Sequence, residues 1–111
     1  MNTALLTALD AAIEIIVKEV NPTRIVLFGS QARGDAGEES DIDLLIIVGS
    51  YEEIEESRFE ILTSLYGKLS KVPYAIDLLL ASEKEASDWR PSLNHPFGRA
   101  LREGRVVYER P

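Results

Sequence analysis

The sequence predicts an α/β protein: a small mixed β-sheet with helices packed mainly on one face. Three observations carry that expectation. An apolar stripe of helical period runs through residues 3–20, and β-rich apolar runs fall at 24–28, 42–48 and 74–80. A second helical stripe at 51–69 separates the last two runs. At 111 residues, 45% of them hydrophobic, the chain has the length of one domain, 1–111, with a modest core.

The first helix rests on Leu5, Leu9, Ala12, Ile13, Ile16 and Val20, which share one face, while Asp10, Glu14 and Lys18 line the other. Asn21-Pro22 ends it. Residues 24–28, Arg-Ile-Val-Leu-Phe, form the first strand, and Gly29-Ser30 turns out of it. Ser30 is placed to N-cap a short helix through Gln31, Ala32 and Arg33. A polar loop, Asp35 to Glu39, leads to the second strand, 42–48, apolar on both faces after Asp43 and so expected at the centre of the sheet. Ser50 with Glu53 has capping-box spacing and opens the helix 51–69, whose buried stripe is Ile54, Ile61, Leu62, Leu65 and Leu69. The third strand, 74–80, carries a charge at its middle, Asp77. Ser82 with Glu85 opens another helix, to about Asp88. Pro96 starts a last helix that Gly104 stops, and 105–109 resembles a short terminal strand.

Composition excludes several functions. The formal charge of −7 argues against nonspecific nucleic-acid binding, which needs basic surface to displace counterions, and so against a templated polymerase. With no cysteine, a disulfide framework, thiolate catalysis and a zinc knuckle are out. The first 20 residues carry acidic side chains within their apolar run and lack a basic leader, unlike a signal peptide. No stretch of 18 apolar residues is present, so no membrane span is expected, and a cytoplasmic location fits.

Asp41 and Asp43 are the first chemical signal. Side chains alternate along a strand, so these two carboxylates point to one face while Ile42 and Leu44 point to the other. Paired acids destabilise a sheet unless a cation sits between them, and magnesium takes one or two carboxylates together with substrate phosphates. Gly29-Ser30 supplies the complement, since glycine lets backbone approach a ligand and a helix start attracts phosphate. Arg33, one turn in, is within reach of a phosphate oxygen. Gly-Ser is a common turn and Asp-x-Asp a common strand entrance, but Gly-Ser, ten residues, then Asp-x-Asp arises by chance in roughly one in 10^5 windows.

With that spacing, Gly29-Ser30 and Asp41-Ile42-Asp43 resemble the nucleotidyltransferase superfamily of the DNA polymerase beta type, with its palm-like fold. Gln31-Ala32-Arg33-Gly34 narrows the resemblance to its smallest branch, the minimal nucleotidyltransferase (MNT) proteins, whose core is about as short as this chain. The resemblance implies that Gly29 and Ser30 hold the phosphates of ATP or another NTP, with Arg33 a weaker ligand. It implies that Asp41 and Asp43 hold Mg2+, and that Asp77 matches the third carboxylate that completes a two-metal catalytic site. The implied reaction is transfer of NMP, AMP from ATP, to an acceptor hydroxyl. Stand-alone MNT proteins are often antitoxins that adenylylate a tyrosine of a HEPN toxin, so a HEPN partner is implied as well, and homo- or hetero-oligomers are compatible with it. Without the resemblance, Asp77 has an ordinary explanation, pairing with Tyr74, Arg58 or Lys71.

Other residues stay open. Trp89 is either core filler or part of a stacking or partner surface. His95 is a helix-entry residue or a substrate contact. Arg99, Arg102 and Arg105 are a solvated helix end or a cluster that binds phosphate or an acidic partner. Two rival functions stand beside the enzymatic one: a non-catalytic module that neutralises a toxin by contact, and a small-molecule nucleotidyltransferase of the aminoglycoside kind, which usually carries an extra helical domain.

Overall fold

Asn2 caps the first helix, α1 (Thr3–Val20): its side chain accepts from the Leu5 N–H at 2.7 Å. At the other end Asn21 adopts the left-handed conformation, φ 52°, and its N–H bonds the Val17 carbonyl. The computed structural model describes residues 2–33, 41–50, 52, 54, 57–92 and 94–111. Within them follow β1 (Arg24–Phe28), α2 (Gly29–Arg33), β2 (Ile42–Val48), α3 (Arg58–Leu69), β3 (Ile76–Ser82), α4 (Glu83–Trp89), α5 (Pro96–Glu103) and β4 (Arg105–Glu109).

The described strands form one mixed sheet in the order β3-β2-β1-β4. Strand β2 runs antiparallel to β1 and parallel to β3, and β4 is antiparallel to β1. The apolar run of β2 is explained by its place inside the sheet, covered on both faces: Leu44 through Ile47 are fully buried. Strand period then divides the core in two. Ile25, Leu27, Ile42, Leu44, Ile46, Leu78 and Leu80 face α1 and α3, where Leu9, Ile16, Leu65 and Leu69 close the larger cluster. Val26, Leu45, Ile47 and Ala81 face the other way and meet Ala86 of α4 and Ala100 of α5 in a smaller one. The two long helices thus cover one face, as expected, and the two short ones cover part of the other.

Two boundaries depart from expectation. Helix α3 starts at Arg58, after Ser57, rather than near 51. Ile54 is buried in the large core and sits in a turn, with the Ser57 N–H on its carbonyl, so these two residues precede the helix instead of belonging to it. Glu53 of the expected capping box lies outside the described residues. The third strand is Ile76–Ser82, two residues later than expected. The capping box at its end is present: Ser82 and Glu85 bond each other's backbone N–H at 3.1 Å. Among the described residues no helix is long and apolar enough to cross a membrane.

Polar contacts tie the elements together. Glu83, in the first turn of α4, accepts from Arg24 at 3.0 and 3.3 Å and from the Thr23 hydroxyl at 2.7 Å. Arg58 reaches Glu85 at 2.7 Å, joining α3 to α4. On the outer strand β3, the Tyr66 hydroxyl accepts the Leu78 N–H at 2.8 Å.

Candidate active site

Register brings the predicted acids together. Asp43 lies opposite Phe28, the last residue of β1, on one side and opposite Asp77 of β3 on the other. Adjacent strands are about 4.8 Å apart. The two carboxylates therefore leave the same face of the sheet from neighbouring strands, on the side of the smaller core, at the end where β2 and β3 begin. Asp41, just ahead of β2, stands close enough to Asp77 for the two side chains to act on each other.

The electrostatics follow from this crowding. Burial pushes the Asp43 carboxyl above the usual carboxylate range, the charges of Asp77 and Asp41 push it further, and the Arg33 guanidinium draws it partly back. Asp77 is also raised, by burial, then by the Asp41 hydrogen bond and the Asp41 charge. Because Asp77 is exposed on its edge strand, contact with Asp41 characterises it better than burial. The ordinary pairing considered for it is replaced by a like-charged neighbour, while Arg58 is engaged with Glu85.

Gly29 answers a geometric demand. Its φ of +71° is costly for any residue with a Cβ, and an added Cβ would lie 2.3 Å from Asp43 Oδ2. The glycine therefore admits the Asp43 carboxylate against the turn, which couples the Gly-Ser bend to the acids through direct contact. Ser30 lies inside the first turn of α2, which begins at Gly29, and not at the N-cap position expected of it. Arg33 ends that helix, 3.8 Å from Glu103 of α5.

These three aspartates are hard oxygen donors with mutual repulsion that a divalent cation would relieve, and that donor chemistry fits magnesium. Among the described residues no three acidic or imidazole side chains are yet gathered closely enough to hold one ion. Asp41 and Asp77 meet each other, and Asp43 rests against Gly29.

Beside the bend, a cavity of about 260 Å³ is lined by Phe28, Gly29, Arg33, Asn94, Pro96, Arg99 and Glu103. Sequence reasoning picked out Gly29, Arg33 and Arg99 but missed Asn94 and Glu103, because only the docking of α5 against α2 and β1 puts them there. The three flagged arginines separate: Arg99 lines this cavity, Arg102 donates to the Arg90 and Ser92 carbonyls, and Arg105 begins β4. Trp89 is 43% exposed and stacks on His95, ring centroids 4.0 Å apart, so it is not core filler.

A sheet edge bearing acids beside a glycine-serine bend is the arrangement of a phosphate-handling enzyme, and comparison defines which. Residues 9–103 match the model of the nucleotidyltransferase domain family, and the chain belongs to that family as a nucleotidyltransferase. It is similar to "Putative protein adenylyltransferase MJ0604" of Methanocaldococcus jannaschii, 41% identical over 87 residues, covering 77% of each chain. A solved structure described as a "putative minimal nucleotidyltransferase" superposes with a TM-score of 0.55 at 25% identity, over 95% of each chain. A toxin–antitoxin structure with AMP-PNP shares the fold, with a TM-score of 0.57 at 17% identity, over 91% of this chain and 73% of the other.

Proposed function

We propose that this nucleotidyltransferase is of the minimal type and transfers AMP from ATP to a hydroxyl of a partner protein, a tyrosine of a HEPN toxin, which it thereby silences. The observation that carries the reading is the placement of the acids: Asp43 in register with Asp77, Asp41 beside Asp77, and Gly29 against Asp43. The relative named as a protein adenylyltransferase supports a protein acceptor. The toxin–antitoxin neighbour with AMP-PNP supports a toxin as partner and an adenine nucleotide as donor.

In this reading Asp41, Asp43 and Asp77 hold magnesium, which when bound supplies charge neutralisation at the reacting phosphate. The rest falls to the chain. The bend at Gly29 and Ser30 receives the phosphates on backbone that carries no intruding Cβ. Arg33 adds a cation at the end of α2. Asp77, exposed on the outer strand, is placed to take the acceptor proton. The acceptor oxygen bonds the α-phosphorus as the bond to the β-phosphate's bridging oxygen breaks, and pyrophosphate leaves with that electron pair. Rate enhancement then comes from positioning and charge, as in phosphoryl transfer generally.

The test is direct. ATP labelled at the α-phosphate, magnesium and a candidate HEPN toxin are incubated together. Label on a toxin tyrosine, lost in the Asp41→Ala/Asp43→Ala variant, is the expected result. Tight complex formation without label transfer replaces the enzyme by a module that acts through contact, and label on a small cationic acceptor replaces the toxin as substrate.

A further inference from the structure

Two guanidiniums from different helices converge on one carboxylate beside the bend. Arg33 Nη1, at the end of α2, lies 3.8 Å from Glu103 Oε2, and Arg99 Nη2, on α5, lies 4.0 Å from the same oxygen. All three line the cavity that Gly29 also lines, and Gly29 is the residue pressed against Asp43. Cavity, bend and acids are therefore contiguous.

The distances say how firmly the carboxylate is held. Both are at the long end for an ion pair, and the three side chains are between 41% and 59% exposed. Solvated pairs of that kind contribute little and are readily exchanged. A polyphosphate carries more charge than one carboxylate and more acceptor oxygens, and the planar guanidinium fork matches it in bidentate fashion.

We propose that Arg33 and Arg99 form the seat of the two outer phosphates of the nucleotide, hence of the departing pyrophosphate, and that Glu103 occupies that seat until they arrive. This rests on the nucleotidyl-transfer reading of the site and extends it to α5. Arg99 becomes a phosphate-binding residue, and Glu103 an internal competitor that keeps the pair assembled while lowering affinity for product. A ligand lacking the outer phosphates does not reach the seat. AMP binding is thus independent of Arg99, whereas binding of inorganic pyrophosphate depends on it.

Calorimetric titration of the full chain with inorganic pyrophosphate, AMP and a non-hydrolysable ATP analogue, each with magnesium, tests this without turnover. Arg99→Ala is expected to weaken pyrophosphate and the ATP analogue about tenfold and to leave AMP within twofold, and Arg99→Lys to fall between. Glu103→Gln is expected to tighten pyrophosphate several-fold, because the competing carboxylate charge is gone. Pyrophosphate affinity unchanged in Arg99→Ala, or equal loss of AMP and pyrophosphate, overturns the assignment of the seat. Weaker pyrophosphate binding in a folded Glu103→Gln overturns the competitor role. If the wild-type chain binds the ATP analogue but not pyrophosphate, only this inference falls; if it binds neither, the nucleotidyl-transfer reading of the site falls with it.

Discussion

The two faces of the sheet are built from the same strands and do opposite work. Toward α1 and α3, every second residue of β2 is a large aliphatic, and Ile16, Leu44, Ile46 and Leu65 are sealed from solvent. Toward α4 and α5 the same strand starts with Asp43, and the cover consists of short helices bearing alanines. One face buries apolar area and holds the fold together. The other spends part of its area on carboxylates, a glycine with left-handed backbone and a cavity, none of which favours folding. The difference shows how one sheet can hold a reactive site: the alternation of a strand lets one face supply the stability that the other gives up.

The comparison is broken most severely at the acids. Asp43→Asn is expected to lower label transfer by about 10^3-fold or more, with a melting temperature equal to or above that of the wild type, because one of three mutually repelling charges is gone. A marked loss of stability would mean that Asp43 is structural. The reverse outcome is expected on the closed face. Ile46→Ala, in the large core, should cost about 2–5 kcal/mol in denaturant unfolding and leave the KM for ATP unchanged at a temperature where the protein remains folded.

Gly29→Ala sits between those extremes, since it strains the backbone and drives a methyl into Asp43. A destabilisation of about 1–3 kcal/mol is expected, together with loss of transfer. A double variant with Asp43→Ala should recover only the part due to the clash with Asp43, keep the backbone strain, and recover none of the activity. The smallest effect concerns Glu83. Burial raises its pKa, but hydrogen bonds from Arg24 and Thr23 and the Arg24 charge outweigh that and hold it below the ordinary glutamate value. A depressed folded-state pKa gives stability that is present above the unfolded-state value and lost as pH falls through the folded one. For this partly exposed pair it is at most about 1 kcal/mol. Glu83→Gln should therefore melt below the wild type at neutral pH and converge with it under acid conditions, read by thermal scans across the acid range.

How far the sequence disclosed this arrangement depends on the range of the interactions involved. The spans of α1, β1 and β2 could be read to the residue, since each is set by local periodicity and a local stop such as Asn21-Pro22. The start of α3 could not, because Ile54 answers to the distant core and not to the caps near it. Asp77 was visible as an anomaly within an apolar strand, but its partners were not. The parallel register with β2 placed a like charge opposite it where nearby cations had seemed available. Asn94 and Glu103 gave no signal at all, as nothing near them in the chain reveals that α5 docks beside α2.

Tyr66 has an effect on behaviour in solution. Leu78-Leu79-Leu80 is the kind of sequence that recruits further strands when it lies on the margin of a sheet. By accepting the Leu78 N–H, the phenol occupies a rung that an incoming chain would need. One aromatic hydroxyl from the neighbouring helix thus takes up a donor on that margin, on the strand that carries Asp77.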